Sequence, residues 1–226
     1  MKIRHIPKIT KWWLFLIIVL TLLPWAGIAE DTGTLDQQLI EAARQGNFGL
    51  VKTLLDKGAD INTKDPDGRT LLMVAAFGGN LDLVKFLISK SLDVNAKTST
   101  GLTALMSAAG GGNLDMFTFL IQQGLDVNAK TRERLTVLMA AATGENPEII
   151  KILIDKGLDV NAKTSGTRLT PLMFAAMSGD LKAVQLLIEK GADMNAEARS
   201  GLTALGQAKL FKHAPVVEYL KSLGAK

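Results

Sequence analysis

The heptapeptide LDVNAKT stands at residues 92–98 of this 226-residue chain, and it recurs letter for letter at 125–131 and at 158–164. Successive copies are 33 residues apart. Either a repeated active site or a repeated piece of architecture would explain the pattern. A fixed period of about 20 to 50 residues is typical of arrays that stack one structural unit. The residues around the heptapeptide decide between the two explanations.

Aligned on this period, the sequence divides into six units. Their approximate bounds are 36–64, 65–97, 98–130, 131–163, 164–197 and 198–226. The four internal units are flanked by two shorter and more divergent ones, as expected where terminal units cap an array.

A first helix is predicted wherever a threonine precedes a run of apolar and small residues. These runs are TLLMVAA at 70–76, TALMSAA at 103–109, TVLMAAA at 136–142, TPLMFAA at 170–176 and a degraded TALGQAK at 203–209. The threonine hydroxyl can accept an unpaired N–H group of the helix start.

A second helix is predicted after another capping side chain. The caps are Asn47, Asn80, Asn113, Asn146 and Asp180, spaced 33, 33, 33 and 34 residues apart. Apolar residues follow at helical spacing, for example Leu83, Val84 and Leu87. A glycine at 58, 124, 157 and 191 ends this helix, where a left-handed backbone is expected. Neither helix can bury its apolar stripe alone, so neighbouring units must stack.

The period, the TPLM tetrad at 170–173 before Ala-Ala, and GADIN at 58–62 with GADMN at 191–195 resemble the ankyrin repeat. The resemblance covers about 36–226 and implies an all-α solenoid of helix-turn-helix units with projecting β-hairpin loops. It makes LDVNAKT the connector into each hairpin, which is a structural role. The chain departs from the family at three kinds of position. Methionine replaces the usual histidine at 73, 106, 139 and 173, leucine replaces alanine at 92, 125 and 158, and Ser91 replaces glycine.

The first 29 residues differ from the units. Lys2, Arg4, Lys8 and Lys11 precede the apolar run WWLFLIIVLTLL at 12–23, followed by Pro24, Gly27 and Ala29. This order predicts a signal peptide over 1–29, cleaved after Ala29, and a short linker over 30–35. The alternative is an uncleaved anchor in the inner membrane, facing the periplasm. Under either interpretation the rest of the chain is exported from a bacterium-like cell, and a cleaved chain is periplasmic or secreted.

The charge of the chain argues against a nucleic-acid partner. All four cations behind the net charge of +4 lie in the leader, and the other 22 cations balance 22 acids. A nucleic-acid binder is expected to carry an excess of cations. The chain also has no cysteine, which excludes a thiolate nucleophile and a zinc–thiolate site.

No pattern predicts catalysis, a metal or a cofactor. The Asp-x-Asn sequences begin like a calcium loop, but Thr98 and Ala104 stand where that loop requires glycine and glutamate. They are interpreted as turn caps. His213 is the one histidine outside the leader and is assigned to an interhelical turn, as is the run 110–112 of three glycines. The sequence therefore predicts that the protein is not an enzyme.

Two features suggest a binding surface. Lys64, Lys97, Lys130 and Lys163 form a ladder, which Arg69, Arg132, Arg134, Arg168 and Arg199 extend in the hairpins. This edge could steer an acidic partner, or it could consist of ordinary surface lysines. Before the capping threonines, Leu102, Leu135, Leu169 and Leu202 stand at a position that faces the concave groove in the family. They form either an apolar contact stripe or packing between hairpins.

The predicted function is a non-catalytic interaction module or scaffold, monomeric, that binds a protein through its hairpin tips and concave face. The alternative is an inhibitor or immunity-type protein that blocks one toxin or enzyme in the periplasm. The predicted contact residues are Arg69, Phe77, Leu102, Arg132, Arg134, Leu135, Arg168, Leu169, Met177 and Leu202.

Overall fold

The computed structural model describes residues 34–226, where the chain forms six consecutive pairs of helices. The first helices are α1 (Leu35–Arg44), α3 (Leu71–Gly78), α5 (Ala104–Gly111), α7 (Val137–Ala141), α9 (Pro171–Ser178) and α11 (Ala204–Leu210). The second helices are α2 (Phe48–Asp56), α4 (Leu81–Ser89), α6 (Leu114–Gln122), α8 (Pro147–Asp155), α10 (Leu181–Glu189) and α12 (Ala214–Ser222). The predicted signal peptide, its cleavage point and most of the linker lie outside the described residues.

The capping threonines begin the first helices as predicted. In α3, α5, α7 and α9 the threonine hydroxyl accepts the N–H of the methionine three residues later, at 3.2–3.3 Å. These helices are apolar on all sides; in α3, for instance, every residue of 71–76 is buried. A helix of that composition needs neighbours on every side, so the first helices form the interior of the array.

The second helices are amphipathic. In α4, Leu83, Val84 and Leu87 are buried, whereas Asp82 and Lys85 are exposed. Each second helix packs on the first helix of its own unit, and each first helix packs on the first helix of the next unit. The buried apolar residues form one continuous core from Leu39 to Leu220. This is the stacked solenoid that the period predicts.

A glycine seam lets the middle units approach closely. A Cβ on Gly111 would overlap the carbonyl oxygen of Phe77, and a Cβ on Gly112 would overlap that of Gly144. A Cβ on Gly144 would meet the carbonyl oxygen of Ala109. Because the obstacles are backbone atoms, they cannot move aside as a side chain would. Gly110 and Gly111 end α5, so only Gly112 lies in the interhelical turn that the sequence predicts for the whole run. Gly111 and Gly112 also set the spacing between units.

The second helices of most units end in a left-handed residue. Gly58, Gly124, Gly157 and Gly191 have φ between 83° and 95°, and Ser91 takes the same place with φ 61°. The prediction that serine occupies the glycine position is confirmed. A residue with a Cβ is strained there.

Asx turns fix the loops that follow. Oδ1 of Asp60, Asp93, Asp126, Asp159 and Asp193 accepts the N–H of the asparagine two residues later, at 2.8–3.0 Å. This confirms that these aspartates act as turn caps. No helix between residues 34 and 226 combines the length and apolar character that crossing a lipid bilayer requires.

Candidate functional site

The projecting hairpins of the third, fourth and fifth units are closed by the same pair of hydrogen bonds. The N–H of Thr98, Thr131 and Thr164 donates to the carbonyl of Leu102, Leu135 and Leu169, respectively, at 3.0–3.1 Å. In return, each leucine N–H donates to the threonine hydroxyl at 2.9–3.0 Å. The hairpins are too short to form strands in the described residues, where only the bridges Lys64–Thr70 and Lys130–Thr136 occur. The threonine that ends the heptapeptide thus holds the hairpin together.

Backbone bonds also join neighbouring hairpins. Arg132 N–H donates to the carbonyl of Thr100 at 2.8 Å, and Ser165 N–H donates to that of Glu133 at 2.9 Å. Arg199 N–H donates to the carbonyl of Thr167 at 2.8 Å. The last four hairpins are therefore held in a fixed relation to one another.

An open groove of about 660 Å³ lies along the hairpins of the fourth to sixth units. We call it the hairpin groove. Its charged residues are the cations Lys130, Arg134, Lys163, Arg168 and Arg199 and a single acid, Asp159. Val127, Leu158 and Ala162 add apolar surface. The groove is strongly cationic although the chain beyond the leader is neutral.

The cations of the hairpin groove keep their charges available. Among the described residues, the side-chain ion pairs involve Arg44 and Arg69 and none of these five. Four of the five side chains are exposed, and Lys163 is half-buried. Lys64 and Lys97, the other members of the predicted ladder, are exposed but do not line the groove.

Two of the groove arginines have an unfavourable backbone conformation. Arg134 and Arg168 have φ 58° and 59°, whereas the equivalent residues of three other hairpins are Gly68, Gly101 and Gly201. An arginine in this region carries strain that glycine does not. The sequence contains a signal of this strain, since both arginines align with glycines, whereas their predicted role rests on charge alone.

Arg69 differs from the other hairpin arginines. Its Nε donates to Asp65 Oδ2 at 2.7 Å, and its second guanidinium nitrogen donates to Asp67 Oδ2 at 2.8 Å. Its side chain is 13% exposed, and the Asp65 side chain is fully buried. The guanidinium of Arg69 is thus bound within its own hairpin, and its contact with a partner stays a prediction.

The predicted apolar stripe is smaller than expected. Leu102 and Met177 are buried, at 7% and 6% exposure. Leu135 and Leu169 are half-buried against the core, and Leu202 and Phe77 are also half-buried. Leu102 and Met177 therefore offer little side-chain surface to a partner. Arg132, by contrast, is exposed at its hairpin tip.

His213 has the structural position expected of it. It stands at the start of α12, where its Nε2 lies 2.8 Å from the carbonyl oxygen of Met177. Its ring stacks on Phe211 with centroids 6.4 Å apart. Within residues 34–226, no cluster of three or more histidines and acids could hold a metal ion.

Comparison with known proteins agrees with this architecture. The family model "Ankyrin repeats (3 copies)" matches residues 39–131 and again residues 138–226. A chain in the solved complex of the predatory endopeptidase Bd0816 from Bdellovibrio bacteriovorus with the immunity protein Bd3460 is 35% identical. The match covers 82% of this chain and 97% of that one, with a TM-score of 0.61. Among curated proteins, none matches this sequence.

Proposed function

This chain belongs to the ankyrin-repeat family, and from that premise we propose that it binds a protein partner through the hairpin groove. Ankyrin repeats mediate protein–protein interaction, and this chain is a protein-interaction module. The observation that carries the choice of surface is the set of five unpaired cations, held on hairpins that backbone hydrogen bonds fix in place. A pre-organised surface loses little entropy when a partner binds.

The module works without catalysis. Ankyrin-repeat proteins are typically non-catalytic, and the groove contains no histidine to act as a base for its threonines or serine. His213 is engaged by the Met177 carbonyl at the opposite end of a first helix from the hairpins. The protein therefore acts by occupying a surface of its partner.

The inhibitor function has a specific observation in its favour. The 35% identical chain comes from a complex whose two components are an endopeptidase and an immunity protein, and nearly the whole of that chain is matched. A module of this kind can block a peptidase by covering its substrate cleft. With the leader directing export, the partner would be an exported enzyme from which the producing cell needs protection. A scaffold of the same architecture would bind its partner without lowering an activity.

The test is crosslinked capture from the exported fraction of the producing cell. The full chain is compared with Arg134→Glu/Arg168→Glu in the groove and with Lys151→Glu/Lys182→Glu, two exposed cations on α8 and α10. Capture should be lost in the groove variant and retained in the helix variant. Equal capture by both would exclude the groove as the binding surface.

A second assay separates inhibitor from scaffold. The captured protein is assayed for peptidase activity with and without the full chain. Inhibition by the wild-type chain, and its loss in the groove variant, supports the immunity-type function. Capture of the partner without inhibition of its activity supports the scaffold function instead.

A further inference from the structure

We propose that the hairpin groove receives an acidic polypeptide segment of the partner, an exposed loop or tail rich in aspartate and glutamate. This inference rests on the proposed function and specifies the chemistry of its partner. Three observations support it: the positive charge of the groove, the backbone conformation of two of its arginines, and the lack of aromatic residues in its lining.

The residues that line the groove carry an excess of positive charge. The groove has five cations against Asp159, and Asp159 Oδ1 already accepts the N–H of Asn161 at 2.8 Å. Like charges facing one another in a groove repel, and an arriving carboxylate relieves that repulsion. Arginine also binds carboxylates through two parallel hydrogen bonds, which gives direction as well as attraction.

Arg134 and Arg168 differ from the other cations of the groove in their backbone conformation. Both line the groove, and both stand at the left-handed position that glycine fills in three other hairpins. Architecture does not require arginine there, since the hairpins with glycine make the same backbone closing bond. Strain of this kind clusters at binding sites, although Ser91 and Lys212 carry it outside the groove. In this proposal the two arginines bind the acidic segment, and their strained backbone lowers the stability of the fold.

The lining favours a polypeptide over a nucleic acid. None of the residues around the groove is aromatic, so bases would find no ring to stack on. Val127, Leu158 and Ala162 instead offer apolar contacts suited to the aliphatic parts of a peptide. The amide of Asn161 is used internally, donating to the Gly191 carbonyl at 3.0 Å and accepting the Asp193 N–H at 2.8 Å. Recognition therefore depends mainly on the cations.

The experiment measures fluorescence anisotropy of a labelled dodecapeptide of alternating glutamate and glycine with the full chain. The glutamine counterpart of the peptide and a labelled dodecathymidylate serve as comparison probes. The glutamate peptide should bind, and raising the salt from about 0.05 to 0.2 M should weaken it several-fold. Arg134→Gly/Arg168→Gly should weaken it at least about tenfold while raising the melting temperature.

Two control variants isolate the cause. Ser91→Gly/Lys212→Gly removes left-handed strain at two positions outside the groove, where φ is 61° in both cases. It should raise the melting temperature without changing peptide affinity. Lys151→Gln/Lys182→Gln removes two exposed cations elsewhere and should also leave affinity unchanged. Lys130→Gln/Lys163→Gln tests the groove without altering a strained residue, and it should weaken binding.

The acidic-segment inference is overturned if the oligonucleotide binds more tightly than the glutamate peptide, if the glutamine peptide binds equally well, or if the groove variants retain full affinity. Capture of the partner separates this failure from that of the proposed function. If the Arg134→Glu/Arg168→Glu variant loses the partner although the glutamate peptide never binds, the groove remains the binding surface and only its acidic ligand is wrong.

Discussion

The side-chain amide of Asn146 donates a hydrogen bond of 2.9 Å to the carbonyl oxygen of Gly112, 34 residues earlier. The same side chain caps α8, since its Oδ1 accepts the N–H of Glu148 at 3.1 Å. Asn80 repeats the arrangement, donating to the Gly46 carbonyl at 2.6 Å and accepting the Leu83 N–H at 2.9 Å. One asparagine therefore both begins a helix and ties its unit to the preceding one.

The fifth unit has Asp180 in this position. Its Oδ1 accepts the N–H groups of Lys182 and Ala183, whereas Oδ2 is buried and makes no hydrogen bond within the described residues. A carboxylate cannot donate the bond to a carbonyl that the asparagines donate. We expect Asp180→Asn to stabilise the fold by about 1 kcal/mol, because it supplies a donor and removes an unsatisfied acceptor.

Urea unfolding of Asp180→Asn measures this gain, and Asn146→Asp is the reciprocal control. The control should destabilise by about 1 to 3 kcal/mol. An Asp180→Asn protein no more stable than wild type would show that the buried oxygen is already satisfied.

Ser91→Gly is expected to raise the free energy of unfolding by about 1 kcal/mol, since Ser91 has φ 61° and glycine carries no penalty there. Thermal melting measures the change. Gly124→Ser, at the equivalent position with φ 83°, should lower the melting temperature. If Ser91→Gly left it unchanged or lower, the serine side chain would contribute more than its backbone costs.

Gly144→Ala is expected to destabilise the protein by about 2 kcal/mol or more, because the new methyl group meets the carbonyl oxygen of Ala109 and only backbone movement can relieve the clash. Gly49→Ala is the matched control. Its Cβ would have no neighbour closer than 3.8 Å, and alanine should stabilise α2 by up to about 1 kcal/mol. Chemical denaturation of the two variants should therefore give changes of opposite sign. Equal stability of Gly144→Ala and wild type would mean that the seam is not rigid.

Leu135→Asp is expected to cost about 1 to 3 kcal/mol of stability, because the side chain is half-buried against the core and a carboxylate there loses solvation. Thermal melting and partner capture are measured on the same sample. Glu189→Ala, an exposed position on α10, should change stability by no more than about 0.5 kcal/mol. A stable Leu135→Asp protein that loses capture would instead place this leucine in the contact surface.

The leader prediction is tested on the exported protein itself. Because Gly27 and Ala29 follow the apolar run, the mature chain should begin at Glu30. Intact-mass measurement of the exported chain gives the answer. Retention of Met1 would favour the membrane-anchored alternative.

Local features of this protein were determined by its sequence alone. The threonine and asparagine caps, the Asx turns and the left-handed Ser91 all depend on residues within a few positions of one another. Each of these interactions joins a side chain to the backbone of the same helix end or turn. The 33-residue period of the sequence therefore predicts it in every unit that keeps the residue. The stacking of units also follows from the sequence, because neither helix of a unit can bury its apolar face alone.

The tertiary structure decided which of the equivalent residues remain available. Arg69 aligns with Leu135 and Leu169, whereas Arg134 and Arg168 align with Gly68. Arg69 is bound by Asp65 and Asp67 of its own hairpin, while Arg134 and Arg168 line the hairpin groove. Leu102 is buried and Leu135 only partly so, although they share a place in the period. Burial depends on side chains from adjacent units, about 30 residues away in sequence and in contact only after stacking. The repeated backbone places the hairpins side by side, and the different side chains at equivalent positions give the groove its cationic lining.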